Sequence, residues 1–337
     1  MVSAARYRIR VIFLGVLLCV CLVGSLGLGR YAVDPAEVLK ILLSKVTALK
    51  PDWQGQAQTV VLQIRLPRVV MGALIGAGLA CAGCAYQAIF QNPMASPDVL
   101  GASNGACFGA ALGLYCGAGY TGTSLLSFFC GMAAVGVVLL ISVRIRGNAT
   151  LGLILSGIMV GSLGSAGVSY IKLAADPNNT LPAITYWLMG SLASIRNQDA
   201  AFAVPLILAG ILPIYLWRWK IGVLTAGDEE AAAMGVNVAR MRAAVVACAT
   251  LITAACVSVS GMIGWVGLVI PHFARILVGG DFRRSLPASM LVGGSFLLMV
   301  DNFSRLLSTS EIPIGILTAM IGVPLFLYLI LREGNRL

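Results

Sequence analysis

Charge is scarce in this chain. Of 337 residues, 23 are Lys or Arg and 13 are Asp or Glu, together 11% of the sequence. A soluble domain carries about 25%, and so few charges cannot give a globule of this size a polar shell. That excludes an ordinary cytosolic enzyme. Aromatic residues make up only 7%, and histidine occurs once. One His with no carboxylate pair nearby cannot supply the Ser/His, Asp/Asp or metal set of an intramembrane protease. No G-x-x-x-x-G-K-[ST] occurs, so the chain has no phosphate-binding loop of its own. The basic residues are not clustered among aromatics, which excludes a nucleic-acid interface. The nine cysteines all lie inside apolar stretches, so they read as small buried hydrophobes rather than a disulfide framework. Cys81-x-x-Cys84 has neither a second pair nor a neighbouring His, and no metal or cofactor is assigned.

What is present is apolar. Hydrophobic residues are 59% of the chain and glycines number 39. Lipid must be the solvent for much of this surface, and glycine suits closely packed transmembrane helices. A span needs about 20 apolar residues. Ten are expected, at 11–29, 69–91, 99–117, 124–143, 150–171, 200–217, 243–261, 264–278, 286–304 and 313–331. The first follows Arg6, Arg8 and Arg10. It is longer than a signal-peptide core and has no small-x-small site after it, so an uncleaved helix is expected.

An even number of spans puts both termini on one side. With the N-terminus inside, 14 of the 23 basic residues fall on cytoplasmic segments, among them Arg144, Arg146, Arg332 and Arg336. The other nine are Arg30, Lys40, Lys45, Lys50, Arg65, Arg68, Lys172, Arg196 and Arg305. The bias favours cytoplasmic termini. The whole chain, 1–337, reads as a single transmembrane domain.

Three segments stand outside the spans. Residues 30–64 carry Asp34-Pro35, an amphipathic stretch to Leu49, and Pro51-Asp52-Trp53; a helix lying on the outer surface is expected. Residues 172–199 carry the turn signal Asp176-Pro-Asn-Asn179, with a short helix dipping back at Ile184–Leu192. Residues 218–242 hold Gly227-Asp-Glu-Glu230 before an alanine run, a helix-start pattern with acids at the positive end of the dipole. A water-exposed helix pair is expected there. Within the spans, Gly101, Gly105, Gly109, Gly113 and Gly117 recur every fourth residue, a small-residue ridge for close packing.

Ionisable groups inside the spans are few. Asp301 and Arg305 stand near the outer end of the ninth, and His272 sits in the eighth. A secondary carrier keeps carboxylates or broken polar helices at midplane, and a channel filter uses rings of charge or carbonyls. Uphill transport by this chain would need energy from another subunit, and the exposed inner helix pair is where that subunit would push.

Certain residues then point to a family. They are Arg65-Leu-Pro-Arg68, Gln87, Asn92-Pro-Met-Ala-Ser-Pro97, Leu100-Gly101, Asn104-Gly-Ala106 and Trp187-Leu-Met-Gly-Ser-Leu192. They continue with Gly227-Asp-Glu-Glu-Ala231, Met234-Gly-Val-Asn237, Gly264-Trp-Val-Gly-Leu-Val-Ile-Pro-His-Phe-Ala-Arg275, Asp301 with Arg305, Glu311-Ile-Pro-Ile-Gly315 and Gly322-Val-Pro-Leu-Phe326. In this order, from about residue 60 to 331, they resemble the FecCD-type permeases. These are membrane subunits of ABC importers for iron–siderophores, haem and cobalamin. Met94 stands where Leu is commoner, and Trp265 where Phe is commoner.

The resemblance implies an all-α polytopic protein with the type II ABC importer permease fold. It also implies several partners. A second permease subunit, identical or paralogous, would share a translocation path on the two-fold axis. Two cytoplasmic ATPase subunits would dock below, and an extracytoplasmic solute-binding protein above. Arg65, Arg68 and Arg305 would then dock acidic side chains of the binding protein; the alternative is snorkelling at a helix start. Asp301 would pair with Arg305 along the helix. Asn92 would lie at the cytoplasmic gate with Thr150, which equally suits a helix N-cap. Gly157, Gly161, Ser165 and Ser169 would line the pore with a weakly polar face that does not grip cargo. Gly227, Asp228, Glu229, Glu230, Ala231, Met234 and Gly235 would form the coupling helix in the ATPase cleft. His272 is given a packing or capping role.

The expected function is the permease subunit of an ATP-driven importer in the inner membrane of a prokaryote, not itself an enzyme. Its expected cargo is a bulky metal chelate of the iron–siderophore kind. Haem, cobalamin and molybdate remain open as cargo. A stand-alone carrier or channel is the rival from another class.

Overall fold

The computed structural model describes residues 3–44, 52–145, 149–308 and 310–334. Lys45, Leu49, Lys50, Pro51, Arg146 and Arg336 lie outside the described residues. Helices are the only regular structure among the described residues. The chain begins with α1 (Ala4–Gly27) and α2 (Pro35–Leu43). Next, α3 (Gly55–Thr59) runs through a π-helical turn (Val60–Arg65) into α4 (Leu66–Ile89) as one rod. A 3-10 turn (Pro97–Leu100) precedes α5 (Ala102–Tyr115). There follow α6 (Gly119–Ser142), α7 (Ala149–Ala174), α8 (Thr180–Leu188) and α9 (Asn197–Leu216). The chain continues with α10 (Arg218–Leu224), α11 (Asp228–Ala233) and α12 (Val238–Ser260), and ends with α13 (Val266–Val278), α14 (Phe282–Leu306) and α15 (Ile314–Gly334).

Each of the ten predicted spans has its helix. Among the described residues, seven helices are long and apolar enough to cross a bilayer unaided. Two others, α5 and α13, have 14 and 13 residues. At 1.5 Å per residue each covers about 20 Å, less than the ~30 Å hydrocarbon core. They are short because backbone breaks bound them. Gly101 precedes α5 at φ 77°, and Trp265 precedes α13 at φ 71°. Irregular backbone at membrane depth is tolerated where protein covers it, and most of α13 is buried.

The surface elements follow local chemistry. Asp34 caps α2 by accepting the Ala36 N–H at 2.8 Å, and Pro35 opens the first turn. Val38 and Ile41 then pack on Val33, Ala57 and Val61. The helix predicted at Ile184–Leu192 is displaced to Thr180–Leu188, because the Asp176 turn, which accepts the Asn179 N–H at 2.9 Å, ends there. The expected helix pair is α10 and α11.

The core is α4 against α12, α13 and α14, and glycine sets the distances. A Cβ on Gly76 would lie 2.2 Å from the Gly293 carbonyl oxygen, and one on Gly293 would lie 2.4 Å from the Gly76 oxygen. The fourth-residue ridge packs α5 on α6 only through Gly105, Gly109 and Gly113; a Cβ on Gly109 would lie 2.3 Å from Leu126 O. Gly101 precedes the helix and meets α7 instead, and Gly117 has open space. The outward residues of α1, including Ile9, Ile12, Phe13 and Val20, are exposed apolar side chains suited to lipid.

Candidate functional site

Antiparallel helices give the bundle two ends. The first gathers the C-terminus of α1, the start of α4 and the C-terminus of α14. The last carbonyls of a helix have no partner within it, and cations suit that end of the dipole. Arg65 meets this need for α1, donating from Nη1 to Leu26 O at 2.8 Å and Gly27 O at 3.1 Å, and from Nη2 to Tyr31 O. Arg305 donates to Leu28 O at 3.2 Å, to Ser25 O at 3.3 Å and to Asn302 Oδ1. Arg30 caps α14 in turn, donating to Arg305 O at 3.3 Å and Ser308 O at 2.6 Å.

Arg68 completes the corner and grips two carboxylates. Its Nε and Nη2 donate to Asp301 Oδ1 at 2.9 and 2.8 Å. Its Nη1 and Nη2 donate to Glu311 at 3.0 and 2.8 Å, a bidentate fork. The predicted Asp301–Arg305 pair exists at 3.1 Å, but Arg68 shares the carboxylate. Burial raises the Glu311 carboxyl, and the hydrogen bond from Arg68 with the charges of Arg68, Arg30 and Arg305 outweighs it, holding the group below the ordinary carboxylate range.

Arg65, Arg68 and Arg305, expected to dock acidic side chains of a binding protein, spend their hydrogen bonds inside this chain. They converge on one corner, but only 4%, 5% and 6% of each residue is exposed. Helix-end carbonyls and internal carboxylates hold all three guanidinium groups. Arg30 at that corner is exposed. The sequence reading also passed over Glu311 as a functional group. Its signal was an acid standing alone just before Ile-Pro-Ile-Gly315, close to a helix start.

A short way into the bundle, three chain breaks meet. Ser191 N–H donates to Ser260 O at 2.7 Å, Ile314 N–H to Gly190 O at 2.9 Å, and Gly315 N–H to Met189 O at 3.1 Å. The end of α8 is thereby bonded to the start of α15 and the end of α12. Only glycine fits the crossing. A Cβ on Gly190 would lie 2.4 Å from Met262 O, and one on Gly315 would lie 2.3 Å from Met189 O.

The face of α7 is also corrected. Gly157 and Gly161 are buried against α5 and its preceding turn, where added Cβ atoms would lie 2.3 Å from Val99 O and 2.9 Å from Asn104 Nδ2. They are contact glycines, not pore lining. Ser165 and Ser169 are exposed, with Ser169 Oγ donating back to Ser165 O at 2.9 Å. The Ser169 hydroxyl is thus turned back on its own helix, and Ile158, Met159 and Tyr170 are exposed on the same helix. The face is weakly polar and apolar together.

At the second end, Asn92 is exposed and its Oδ1 accepts the Met94 N–H at 2.9 Å, shaping the break at Pro93. Thr150 stands half-buried in the first turn of α7. Asn92 helps line a cavity of about 240 Å³ with Gln87, Thr225 and Arg275, and Thr150 is not among its lining. Gln91 donates to Leu224 O at 3.0 Å, tying the end of α4 to α10.

Gly227 takes φ 137°, open to glycine, and Glu230 folds back against it. Asp228 pairs with the buried Arg242 of α12 at 2.9 Å. Ala231 is buried and anchors α11. Glu229, Glu230, Met234 and Gly235 are exposed. His272 is buried, edge-on to the Phe326 ring at 6.4 Å, which suits packing.

The profile of the FecCD transport family matches residues 17–332. The molybdate import system permease protein MolB of Haemophilus influenzae is 39% identical over 325 residues, 96% of each chain. The Fe(3+)-citrate import system permease protein YfmE of Bacillus subtilis is 35% identical, over 98% of this chain and 97% of that one. Among solved structures, an inward-facing metal-chelate type ABC transporter superposes with a TM-score of 0.86 at 36% identity, covering 96% of this chain and 98% of the other.

Proposed function

The chain belongs to the FecCD transport family, and on that footing we propose a complete reading of it as a membrane subunit of an ABC importer. It is a multi-pass permease; hydrolysis of ATP belongs to a separate subunit. The finding that carries the reading is the family match across nearly the whole chain, joined to an all-helical fold with an exposed helix pair at one end. The cargo is a bulky iron chelate. MolB, at 39% identity over 96% of the chain, favours a second reading, molybdate.

In the proposed orientation α10 and α11 face the cytoplasm, as the basic residues of the inner segments favour, and both termini are cytoplasmic. Two copies, or this chain and a paralogue, enclose a path that Ser165 and Ser169 of α7 flank. Asn92 and Thr150 stand at its inner gate. A face without strong donors or charge suits a conduit, because tight binding would trap the solute. The solute-binding protein docks on the arginine corner. There Arg30 supplies the exposed charge that steers it, and Arg65, Arg68 and Arg305 hold the corner's shape. ATP binding closes the paired ATPase subunits, α11 carries that motion to the gates, and the solute leaves inward.

The deciding experiment is uptake by vesicles containing this permease, its ATPase and ATP, given loaded binding protein. ATP-dependent accumulation of an iron chelate is expected. Accumulation of molybdate alone selects the second reading, and no accumulation of any candidate sinks the importer assignment.

The coupling role makes its own prediction. Glu229→Lys with Glu230→Lys is expected to lower uptake by about tenfold, the order of a like-charge clash at a partner surface. Both side chains are exposed, so the unfolding temperature of the permease should fall only slightly, by what two acids contribute at the start of α11. Unchanged uptake would remove these two acids from the ATPase contact.

A further inference from the structure

Basic residues that lie apart in the sequence meet aromatic rings at the end that carries α10 and α11. Arg218 opens α10 and lies over the Tyr215 ring of α9, its guanidinium carbon 4.2 Å from the ring centroid. Arg284, in the first turn of α14, lies over the Tyr7 ring of α1 at 5.4 Å. Tyr7 also stands within electrostatic reach of Tyr215 and Arg218, so the two pairs form one cluster. Arg283 adjoins α10, since a Cβ on Gly222 would lie 3.9 Å from Arg283 Cγ. Asp281 is an acid of the same cluster. It caps α14 by accepting the Arg283 N–H at 2.9 Å, and it stands 3.8 Å from Arg284 Nε. Among the described residues, Arg218 and Arg283 form no salt bridge. Three arginines therefore outweigh one carboxylate there.

The neighbouring surface is apolar. Leu212, Tyr215 and Leu216 share an exposed face of α9, and α1 is a perimeter helix with Ile9, Ile12 and Phe13 exposed. Aliphatic side chains leading up to Tyr and Arg are the profile of a bilayer edge, where rings sit at headgroup level and cations reach past the chains. We propose that this cluster binds the phosphate of an anionic phospholipid from the adjoining leaflet, between Arg218 and Arg284. A guanidinium lying over a ring can still present its planar N–H edge to a phosphate and meet it with two bonds. The ring beneath steadies that edge, and its attraction for the cation grows as water leaves. Phosphatidylcholine offers the same phosphate but carries its own cation, so net negative charge selects the lipid. An acidic protein surface would also suit three arginines. The cluster runs on into the exposed leucines of α9, which acyl chains cover and an acidic surface does not. Because α1 and α10 both pack on α14, a headgroup held by Arg218 and Arg284 bridges the root of α10 to α1. The site rests on the membrane assignment alone and is independent of the cargo.

The competing account is diffuse attraction, in which any basic residue at this interface draws anionic lipid equally. Native mass spectrometry of the full-length permease in neutral detergent counts bound lipid while phosphatidylglycerol, or phosphatidylcholine with the same acyl chains, is titrated in. One phosphatidylglycerol is expected to bind about tenfold more tightly than phosphatidylcholine. Equal binding of the two lipids overturns the proposal. Arg218→Gln with Arg284→Gln should weaken phosphatidylglycerol by about tenfold or more, at roughly fivefold per arginine. Arg218→Lys keeps the charge and loses the fork, so it should still weaken binding by about threefold. That variant carries the test if the double variant does not fold. Arg144→Gln removes an exposed arginine just past α6 at the same end and should change nothing. Full binding by Arg218→Lys, or an equal loss from Arg144→Gln, means diffuse attraction and removes the site. Inorganic phosphate at millimolar concentration should displace no lipid; displacement gives the cluster to a soluble phosphate instead. Loss of the bound lipid when the ATPase subunit is added assigns the cluster to a protein contact, and the proposal fails.

Discussion

Gly83→Leu is expected to leave little folded permease in the membrane. A Cβ at Gly83 would lie 1.8 Å from Gly267 O, 2.5 Å from Gly267 C and 2.7 Å from its Cα. All three atoms are backbone, so no side-chain rotation relieves the clash. α4 and α13 would have to part by roughly 1.5 Å to regain ordinary contact distances. Parting also opens the reverse contact, in which Gly267 sits against Leu79 O and Pro97. Overpacking a core costs ~1–3 kcal/mol when side chains can shift, and a backbone obstacle takes the cost above that range. Even Gly83→Ala places a methyl on the carbonyl and should unfold at clearly lower temperature. Gly24→Ala is the control, since a Cβ there meets nothing within 4 Å. The checks are monodisperse yield and thermal unfolding in detergent. A Gly83→Leu protein that unfolds within a few degrees of wild type would mean the helices do not cross there.

That contact also marks how far the sequence could be read. The ten spans were legible because lipid imposes long apolar runs. The starts of α2 and α11 were legible too, because Asp34-Pro35 and Gly227-Asp228 carry their capping chemistry locally. Small residues at helical spacing announced tight packing but not the partner. Gly109 does meet α6, whereas Gly157 and Gly161, at the same spacing, meet α5 rather than the open path. Periodicity fixes which residues share a face and is silent on what the face touches. The arginines show the same limit from another side. Their position against the charge rule flagged Arg65, Arg68 and Arg305, but their direction depends on the end of α1 and on Asp301, which lies 233 residues from Arg68. Trp265 at φ 71° was hidden because nothing local asks a tryptophan for that conformation. It is held by tertiary packing, on Gly322 and beside Phe326.

Asp301→Ala is expected to cost about 3–5 kcal/mol of stability, the range for breaking a buried ion pair from one side. The magnitude follows from what remains. The Asp301 side chain is fully buried between Arg68 and Arg305, whose side chains are 6% and 7% exposed. Removing it leaves Glu311 as the neighbouring acid for two guanidinium groups, and Glu311 bonds only the far edge of Arg68. Arg305 would keep its carbonyl partners Ser25 and Leu28, but neutral oxygens do not offset a full charge. Asp301→Asn keeps the shape and loses the charge, so it should cost nearly as much and separate electrostatics from packing. Adding Arg305→Met to Asp301→Ala should recover part of the loss, because one uncompensated charge leaves with it; neighbours in one network couple by about 0.5–3 kcal/mol. Chemical unfolding in detergent reads all three. A loss under about 1 kcal/mol for Asp301→Ala, the scale of an exposed pair, would mean that the arginines do not need this carboxylate. Glu311, on the far edge of Arg68, would then suffice for that guanidinium, and the carbonyls of Ser25 and Leu28 for Arg305.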